Sequence, residues 1–392
     1  MAAAVAQPRT APTDSGSSYS PRYIDIGINL ADPIFRGRYH GSQRHPDDLA
    51  AVVDRARQVG CSKLMVTGSD FQSIRDSLQL AKDYPGTIFA TAGIHPCSSA
   101  IFSSEEDVRE NGHVDAEPVP DHHLPDADKS ADILAQLTDL VAQARKSGQK
   151  HLVAMGEFGL DYDRLHYCNK LVQRHSFEAQ LAVAAAMTPQ LPLFLHSRAA
   201  HTDFVALLKA AFGDGLERLE KGGVVHSFTG TAEEMRELMD LGLHIGINGC
   251  SFKTAENCKV VEEIRLDRIM LETDGPWCEV RPSHEGWKHL IEAKTVPEPA
   301  GKETADEAEA KPKPKQTQSK KNQKKIPEVP DRFKVVKKEK WEEGAMVKGR
   351  NEPCNIERVA KVVAGIKGIS VEEVCEAAWN NTVKVFGLGA ES

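Results

Sequence analysis

The sequence predicts an α/β fold, a (β/α)8 TIM barrel with inserted loops, because short apolar runs alternate with stretches long enough to form helices. Apolar runs of this length, separated in this way, indicate buried parallel strands. Six of the runs end in a polar residue, and these residues are Asn29, His95, Glu157, His196, His226 and Asp274. Polar residues at the carboxyl ends of successive strands are the positions from which a (β/α)8 barrel builds its functional site.

Strands and helices alternate along the predicted domain. The predicted strands occupy residues 23–28, 63–66, 87–93, 152–156, 193–195, 224–225, 243–247 and 269–273. Helical spacing of apolar residues predicts helices at 46–58, 70–82, 131–146, 173–187 and 232–239, and two more at 356–366 and 371–385. This alternation implies a parallel sheet with right-handed connections. The strands span about the 250 residues that one barrel requires, which favours a single domain.

Three segments fall outside this repeat. Residues 1–21 form a tail that we expect to be disordered, ahead of one barrel domain over residues 22–392. Residues 103–129 are acidic and contain proline, which predicts a loop inserted after the third strand. Residues 297–340 are rich in Lys, Pro and Glu and predict a disordered insertion. Its seven lysines between residues 311 and 325 are compatible with a nuclear-import signal, a phosphate-attracting tether or a solubilising insert.

Composition narrows the class of protein. No apolar stretch of the 392 residues approaches the roughly 20 residues of a membrane span, so no membrane partner is expected. The eight cysteines are scattered, which predicts reduced thiols in an intracellular protein, in the cytoplasm, the nucleus or both. The formal charge of −8 argues against a generally cationic surface. A nucleic-acid substrate would therefore need a local basic patch or metal ions to meet its phosphates.

The polar residues at the strand ends have the chemistry of a hydrolytic metal centre. Two histidines, a glutamate and an aspartate supply the nitrogen and oxygen ligands that such centres use. Glu157 is flanked by glycines that permit close backbone approach, and Asp274 is followed by a Gly-Pro turn. Arg198 lies two residues after His196, so the two side chains point the same way in an extended strand. Several buried charged groups at one end of a barrel need partners, and a divalent cation is one that all of them share.

Five strings resemble those of TatD-type DNases, a family of amidohydrolase-like barrels. They are EFGLDY at 157–162, HSR at 196–198, HSFTG at 226–230, ETD at 272–274 and RNEP at 350–353. The similarity covers about residues 23–282 and 350–387, and the opening DIGINL at 25–30 resembles the eukaryotic branch.

The resemblance implies a metal-dependent deoxyribonuclease that hydrolyses DNA phosphodiester bonds through a metal-activated water. The family implies 3′–5′ exonuclease or endonuclease action in DNA repair or degradation, on single-stranded DNA or frayed ends. Position by position, the metal ligands would be Glu157, His196, His226 and Asp274. His95 would contact phosphate or water, Arg198 would meet the substrate, and Asp274 is our candidate for the base that accepts the water's proton. One or two divalent ions are expected, with Mg²⁺ preferred and Mn²⁺ or Zn²⁺ compatible.

One departure from the family affects the expected metal site. Bacterial members carry a His-x-His pair on the first strand, where this sequence has Gly27 and Asn29. An Asn amide oxygen is a weak ligand suited to hard cations, and we expect Asn29 and Asp25 to make at most weak metal or substrate contacts. We therefore expect the ion beside the first strand to exchange readily. A second ion should be held more firmly by His196 and His226, with Glu157 bridging the two ions.

Further residues are candidates for DNA binding. Trp277 is the best placed of four aromatic residues to stack on an unpaired base, the others being Phe158, Tyr162 and Phe228, and ordinary packing is the alternative for each. Arg350 is a further candidate substrate contact, and Glu352 either folds back toward the site or caps the next helix. The oligomeric state is not predicted.

Two other functions remain open from the sequence. The barrel also supports hydrolysis of other esters or amides, such as deacylation of aminoacyl-tRNA. A non-catalytic metal-binding or DNA-binding scaffold is the third possibility.

Overall fold

Eight parallel strands form one sheet whose order follows the chain. A computed structural model describes residues 19–104, 117–146, 150–291 and 329–389. The strands are β1 Tyr23–Ile28, β2 Cys61–Val66, β3 Ile88–Ala92, β4 Leu152–Asp161, β5 Leu193–Arg198, β6 Gly223–Val225, β7 His244–Ile247 and β8 Ile269–Leu271. Each strand pairs in parallel with the next along the chain.

The sheet closes through the segments that follow its first and last strands. The backbone N–H of Asp274 donates to the carbonyl of Gly27 at 2.8 Å, and that of Asn29 donates to the carbonyl of Gly275 at 2.9 Å. These bonds join the first strand to the chain beyond the eighth and close the sheet into a barrel. The predicted (β/α)8 barrel is confirmed.

Nine α-helices surround the barrel within the described residues. They are α1 Leu49–Gln58, α2 Phe71–Asp83, α3 Ala127–Lys146, α4 Lys170–Ala186, α5 His201–Phe212, α6 Ala232–Asp240, α7 Ala255–Glu263, α8 Ile356–Lys367 and α9 Val371–Phe386. Several begin at a side chain that accepts a backbone N–H of the first turn, as Asp70, Thr231, Thr254 and Ser370 do. The helices α5 and α7 were not among those predicted from apolar spacing.

Two strands extend beyond their predicted ends, which changes where the polar residues lie. β4 continues to Asp161, five residues beyond the predicted end at 156, and β5 continues to Arg198. Glu157 and His196 therefore lie within strands and not in the loops that follow. His196 pairs with Gly159, whereas Glu157 lies at the irregularity between the paired residues Met155 and Phe158. Glycine permits this pairing, since a Cβ at Gly159 would lie 1.8 Å from the carbonyl oxygen of His196.

The chain after the barrel returns to its carboxyl-terminal rim before forming α8 and α9. The Asn351 amide donates to the carbonyls of Thr273 at 2.9 Å and Trp277 at 2.8 Å. The backbone N–H of Asn351 donates to the carbonyl of Pro276 at 2.9 Å. The turn that carries Asp274 precedes the predicted insertion, and Asn351, which follows the insertion, supports this turn.

Most of the predicted tail and of the predicted 297–340 insertion lies outside the described residues, and so do residues 105–116 of the predicted 103–129 loop. Where the structure does describe their edges, the predicted boundaries shift. α3 begins at Ala127, inside the predicted 103–129 loop. The pair Val335–Val336 and Met346–Val347 is a short parallel ladder, so regular structure begins before residue 340. No helix in the described ranges combines the length and apolarity needed to cross a membrane.

Candidate metal centre

Three side chains from neighbouring strands meet in the buried mouth of the barrel. His226 Nε2 lies 2.7 Å and His196 Nδ1 lies 3.1 Å from Glu157 Oε1, and the two imidazole nitrogens are 3.3 Å apart. All three residues are at most 6% exposed. Around a cation with metal–ligand distances of about 2.1 Å, adjacent ligand atoms lie roughly 3.0–3.4 Å apart. The three atoms already have close to this spacing.

Buried carboxylates behind the two histidines determine which ring nitrogen faces the centre. Asp161 Oδ2 lies 3.0 Å from Nε2 of His196, and Glu272 Oε2 lies 3.4 Å from Nδ1 of His226. A neutral imidazole has one N–H, and a carboxylate acceptor draws that N–H toward itself. The remaining lone pairs, on Nδ1 of His196 and Nε2 of His226, then point at each other and at Glu157. Such an arrangement is repulsive without a positive charge between them, and a divalent cation fits it.

The pKa shifts of Glu157 and His226 also indicate that the centre favours a positive charge. Burial alone would raise the pKa of Glu157, but His226 and His95 outweigh it and hold the pKa well below the usual value. Burial alone would lower the pKa of His226, but Glu157 and Glu272 raise it well above the usual value. The centre therefore retains a proton where no cation is bound, and protons compete with the metal.

His95 faces the same centre as a hydrogen-bond donor. Its Nδ1 accepts the backbone N–H of Cys97 at 3.0 Å, and its Nε2 lies 3.2 Å from Glu157 Oε1. Because Nδ1 is an acceptor, the proton of the neutral ring is on Nε2. A nitrogen that carries a proton cannot ligate a metal, so His95 fits the predicted phosphate or water contact better than a ligand position.

Asp274 lies at the rim, beside the buried triad. Its backbone is left-handed, with φ +52°, and it is half-buried. Its Oδ1 accepts the Asn29 amide at 3.2 Å, and its Oδ2 accepts the thiol of Cys278 at 3.2 Å and the hydroxyl of Ser227 at 3.5 Å. Within the described residues it forms no hydrogen bond or ion pair with Glu157 or the histidines. The structure thus brings three of the four predicted ligands into contact, and the fourth stays a prediction.

The two weak ligands that the sequence suggested at the first strand both have protein partners. The Asn29 amide oxygen accepts the hydroxyl of Thr67 at 2.5 Å, and its nitrogen donates to Asp274 and to the carbonyl of Gly275. Asn29 therefore orients a carboxylate, and one lone pair of its amide oxygen is occupied by Thr67, so a metal contact of Asn29 stays a prediction. Asp25 is fully buried and accepts the hydroxyl and N–H of Thr273, so it closes the barrel instead of contacting metal or substrate.

Glycine at position 27 has a packing reason. A Cβ built there would lie 2.5 Å from Oε2 of Glu272, the oxygen that faces His226. Any side chain on this strand position would displace the carboxylate that orients the histidine. The family's first-strand histidine therefore does not fit beside this arrangement of Glu272.

The predicted DNA contact of Arg350 is wrong. Arg350 is 2% exposed, and its guanidinium pairs with Asp48 at 2.6 Å and Glu352 at 2.9 Å. Arg55 pairs with the other oxygen of Glu352 at 2.8 Å. A guanidinium enclosed in this way cannot reach a phosphate, and Glu352 is a buried ion-pair partner here.

The other predicted substrate residues divide by exposure. Trp277 is 55% exposed, whereas Phe158 and Phe228 are at most 4% exposed and belong to the core. Tyr162 is half-buried, and its hydroxyl donates to Asp203 at 2.6 Å. Arg198 is half-buried; its backbone pairs with Asp161 in the strand ladder, and its guanidinium forms no hydrogen bond or ion pair within the described residues. Trp277 and Arg198 remain candidates for DNA contact, and stacking by the two buried phenylalanines is excluded.

Sequence reasoning assigned no role to the residues behind the histidines. Asp161 and Glu272 appear in the motifs but look like ordinary strand-end carboxylates. Asn248 was not singled out, yet its amide donates to Glu272 Oε1 at 3.1 Å and to the Ser227 hydroxyl at 2.9 Å. The sequence contains one signal for Asp161 and Glu272, because each is an acidic residue close to a proposed ligand. Asp161 follows Glu157 by four residues, and Glu272 precedes Asp274 by two.

A closed parallel barrel with histidines and carboxylates buried at the carboxyl ends of its strands defines a hydrolase of the amidohydrolase-like class. The chain belongs to the TatD related DNase family, whose model matches residues 24–387.

Two relatives match this chain over 94% and 65% of its length. The chain is 41% identical to "Deoxyribonuclease Tat-D" of Schizosaccharomyces pombe, with 94% of this chain and 96% of that protein covered. It is 35% identical to "3'-5' ssDNA/RNA exonuclease TatD" of Edwardsiella piscicida, over 65% of this chain and 79% of that protein. An "uncharacterized amidohydrolase" from Saccharomyces cerevisiae has a similar crystal structure, with a TM-score of 0.74, 33% identity, and coverage of 93% of this chain and 100% of that one.

Proposed function

We propose that this protein is a metal-dependent deoxyribonuclease that hydrolyses DNA phosphodiester bonds at the Glu157–His196–His226 centre. One observation carries the proposal: the carboxylates of Asp161 and Glu272 turn the lone pairs of both imidazoles toward the same carboxylate oxygen. The family and the names of the relatives support DNA as the substrate and support single-stranded ends as the preferred form. DNA repair or DNA degradation is the process that this activity would serve.

Each residue of the centre has a role that follows from its contacts. Glu157, His196 and His226 would hold the cation, and Asp274 at the rim would bind a second cation or accept a proton. A divalent cation at this centre supplies Lewis acidity and lowers the pKa of a bound water. His95 donates its Nε2–H to the substrate phosphate or to the attacking water. Arg198, whose guanidinium forms no hydrogen bond or ion pair among the described residues, meets the non-bridging oxygens, whose geometry the guanidinium matches.

The rim provides the features that an unpaired strand needs. Trp277 follows the Gly275–Pro276 turn beside Asp274 and is exposed, so its ring is available to stack on a base. The nearby Asp274 accepts hydrogen bonds from Asn29 and Ser227, which orient its carboxylate toward the mouth of the barrel. We assign single-stranded DNA or a frayed end to this rim.

The donor set limits the identity of the ion. Two imidazole nitrogens and a carboxylate suit Mn²⁺ or Zn²⁺, whereas a rim site built on Asp274 and water suits Mg²⁺. Mg²⁺ is our proposal for the working ion, with Mn²⁺ able to replace it.

Free thiols support an intracellular location. None of the eight cysteines, all of which lie in the described ranges, forms a disulfide, and we assign the protein to a compartment that keeps thiols reduced, such as the cytoplasm or nucleus.

End-labelled single- and double-stranded DNA tests the function directly. Wild-type protein should cleave in Mg²⁺ or Mn²⁺ and not in EDTA, and Glu157→Gln should lose about 10³-fold or more of the rate, because it removes the carboxylate shared by both histidines. The exposed Glu220→Gln is the matched control and should keep full activity. Cleavage in EDTA, or full activity of Glu157→Gln, would contradict the proposal. Cleavage of aminoacyl esters with no cleavage of DNA would favour the alternative hydrolase.

A further inference from the structure

Two free cysteines face each other at the rim of the metal centre. Cys250 lies in the helical turn Gly249–Phe252 that follows β7, and Cys278 follows Trp277 after β8. Their sulfur atoms are 2.8 Å apart, and both residues are half-buried. The S–S bond of a disulfide is about 2.05 Å long, so the two sulfurs need to approach by less than 1 Å to form one.

The backbone holds the two thiols in this position. A Cβ built at Gly249 would lie 2.0 Å from the carbonyl oxygen of Cys278, so the two loops touch through their main chains. Cys278 itself adopts a left-handed φ of +53°, a conformation that surrounding contacts must maintain. No other two of the eight thiols, all of which lie within the described residues, are in hydrogen-bond contact.

The pair is connected to both sides of the centre. The Cys278 thiol donates to Asp274 Oδ2 at 3.2 Å. The Cys250 backbone N–H donates to Asn248 Oδ1 at 2.8 Å, and the Asn248 amide donates to Glu272 at 3.1 Å. Movement of either sulfur is therefore transmitted to the rim carboxylate or to the carboxylate that orients His226.

We propose that Cys250 and Cys278 form a reversible disulfide under hydrogen peroxide, and that this disulfide weakens divalent-cation binding at the rim. In the first step one thiol attacks a peroxide oxygen, the O–O bond breaks, and a sulfenic acid and one water form. In the second step the other thiol attacks the sulfenic sulfur, the S–O bond breaks, and the disulfide and a second water form. Two electrons pass from the sulfurs to the peroxide, and a dithiol reductant returns them by thiol–disulfide exchange.

The effect on the centre follows from the lost proton. The disulfide has no S–H, so Cys278 no longer donates to Asp274, and its sulfur is drawn toward Cys250. Asn29 and Ser227 are left to orient the carboxylate. This second half of the inference rests on the proposed function, since it assumes that Asp274 serves the cation, whereas disulfide formation does not depend on that assumption.

Peptide mapping tests disulfide formation. The full chain is treated with hydrogen peroxide, alkylated, digested without reductant and analysed by mass spectrometry. Wild type should yield a linked pair of the Cys250 and Cys278 peptides that dithiothreitol separates, and Cys250→Ser should yield none. Cys258→Ser, which removes a nearby thiol outside the pair, should still yield the linked pair. Absence of the linked pair from wild type that remains folded by circular dichroism would overturn the proposal.

Calorimetry with Mn²⁺ tests the consequence on the same samples. Oxidised wild type should bind Mn²⁺ about tenfold more weakly than reduced wild type, equivalent to about 1.4 kcal/mol, and dithiothreitol should restore the affinity. Peroxide should leave the Mn²⁺ affinity of Cys250→Ser unchanged. A linked pair with unaltered Mn²⁺ affinity would overturn the regulatory part. If the linked pair forms on oxidation but the reduced protein cleaves no DNA, the proposed nuclease is refuted and the disulfide remains established.

Discussion

At the scale of single residues, the two central histidines present different ring nitrogens to the same carboxylate. His196 presents Nδ1 because its Nε2 bonds to Asp161 at 3.0 Å, and His226 presents Nε2 while its Nδ1 lies 3.4 Å from Glu272, close enough for an ion pair but without a hydrogen bond. The carboxylates behind the histidines therefore determine the ligand geometry as much as the ligands do. His95 differs from both, because a backbone N–H occupies its Nδ1.

Replacing Asp161 should weaken metal binding without unfolding the barrel. Asp161→Ala frees the His196 ring to rotate or change tautomer, so we expect Mn²⁺ affinity to fall by about 10–100-fold, measured by calorimetry. Asp163→Ala removes an exposed carboxylate two residues away and should leave the affinity unchanged. Equal affinities for Asp161→Ala and wild type would show that Asp161 does not orient His196.

His95 and His196 should respond differently to the same substitution. His95→Ala removes a donor and keeps the three proposed ligands, so kcat should fall by about 10²–10³-fold while Mn²⁺ affinity stays near the wild-type value. His196→Ala should lose both. If His95→Ala loses Mn²⁺ affinity as fully as His196→Ala does, then His95 is a ligand and its assignment as a donor fails.

At the scale of elements, the sequence predicts where the strands lie but not the residues at which they end. The eight apolar runs predicted all eight strands, because a strand buried on both faces needs uninterrupted apolar residues. The continuation of β4 through Glu157 to Asp161 was hidden, because polar residues inside a strand read as its end. The roles of Asn29 and Asp161 depend on partners 245 and 35 residues away in the chain, and no local pattern encodes such pairings.

His244, the first residue of β7, should make stability depend on pH. Burial and then Arg268 lower its pKa to about 4, below the value near 6.5 of an unfolded chain. Between these two values the unfolded state binds the proton and the folded state does not, so stability rises with pH over about 4–6.5. The contribution of His244 amounts to about 2–3 kcal/mol.

Urea unfolding at pH 4.5 and pH 7 measures this contribution. The wild-type free energy of unfolding should fall more between pH 7 and pH 4.5 than that of His244→Gln, whose side chain does not titrate. His166→Gln is the control, since His166 is not buried. If the free energy of unfolding depends on pH in the same way in His244→Gln and wild type, the pH dependence does not come from His244.

At the scale of the whole molecule, a buried ion-pair network joins the chain after the insertion to the first helix. Arg350 and Glu352 pair with Asp48 and Arg55, and all four side chains are at most 3% exposed. The motif at 350–353 was correctly located by its resemblance, but its role was misassigned, because sequence alone cannot distinguish a buried arginine from one facing substrate.

Breaking the network should destabilise the protein strongly. Arg350→Ala leaves two buried carboxylates short of a partner, so we expect a loss of about 3–5 kcal/mol in the free energy of unfolding, measured by urea titration. Arg22→Ala breaks the exposed pair with Glu376 and should cost about 1 kcal/mol or less. Similar losses for the two variants would show that the buried network does not hold the molecule together.

The support that Asn351 gives to the turn after β8 has a consequence for synthesis of the chain. The amide that holds the carbonyl of Thr273 lies 78 residues later. While the ribosome is still adding those residues, the nascent barrel lacks the final brace beside Asp274. The hydrogen bonds beside Asp274 are therefore complete only after Asn351 has left the ribosome.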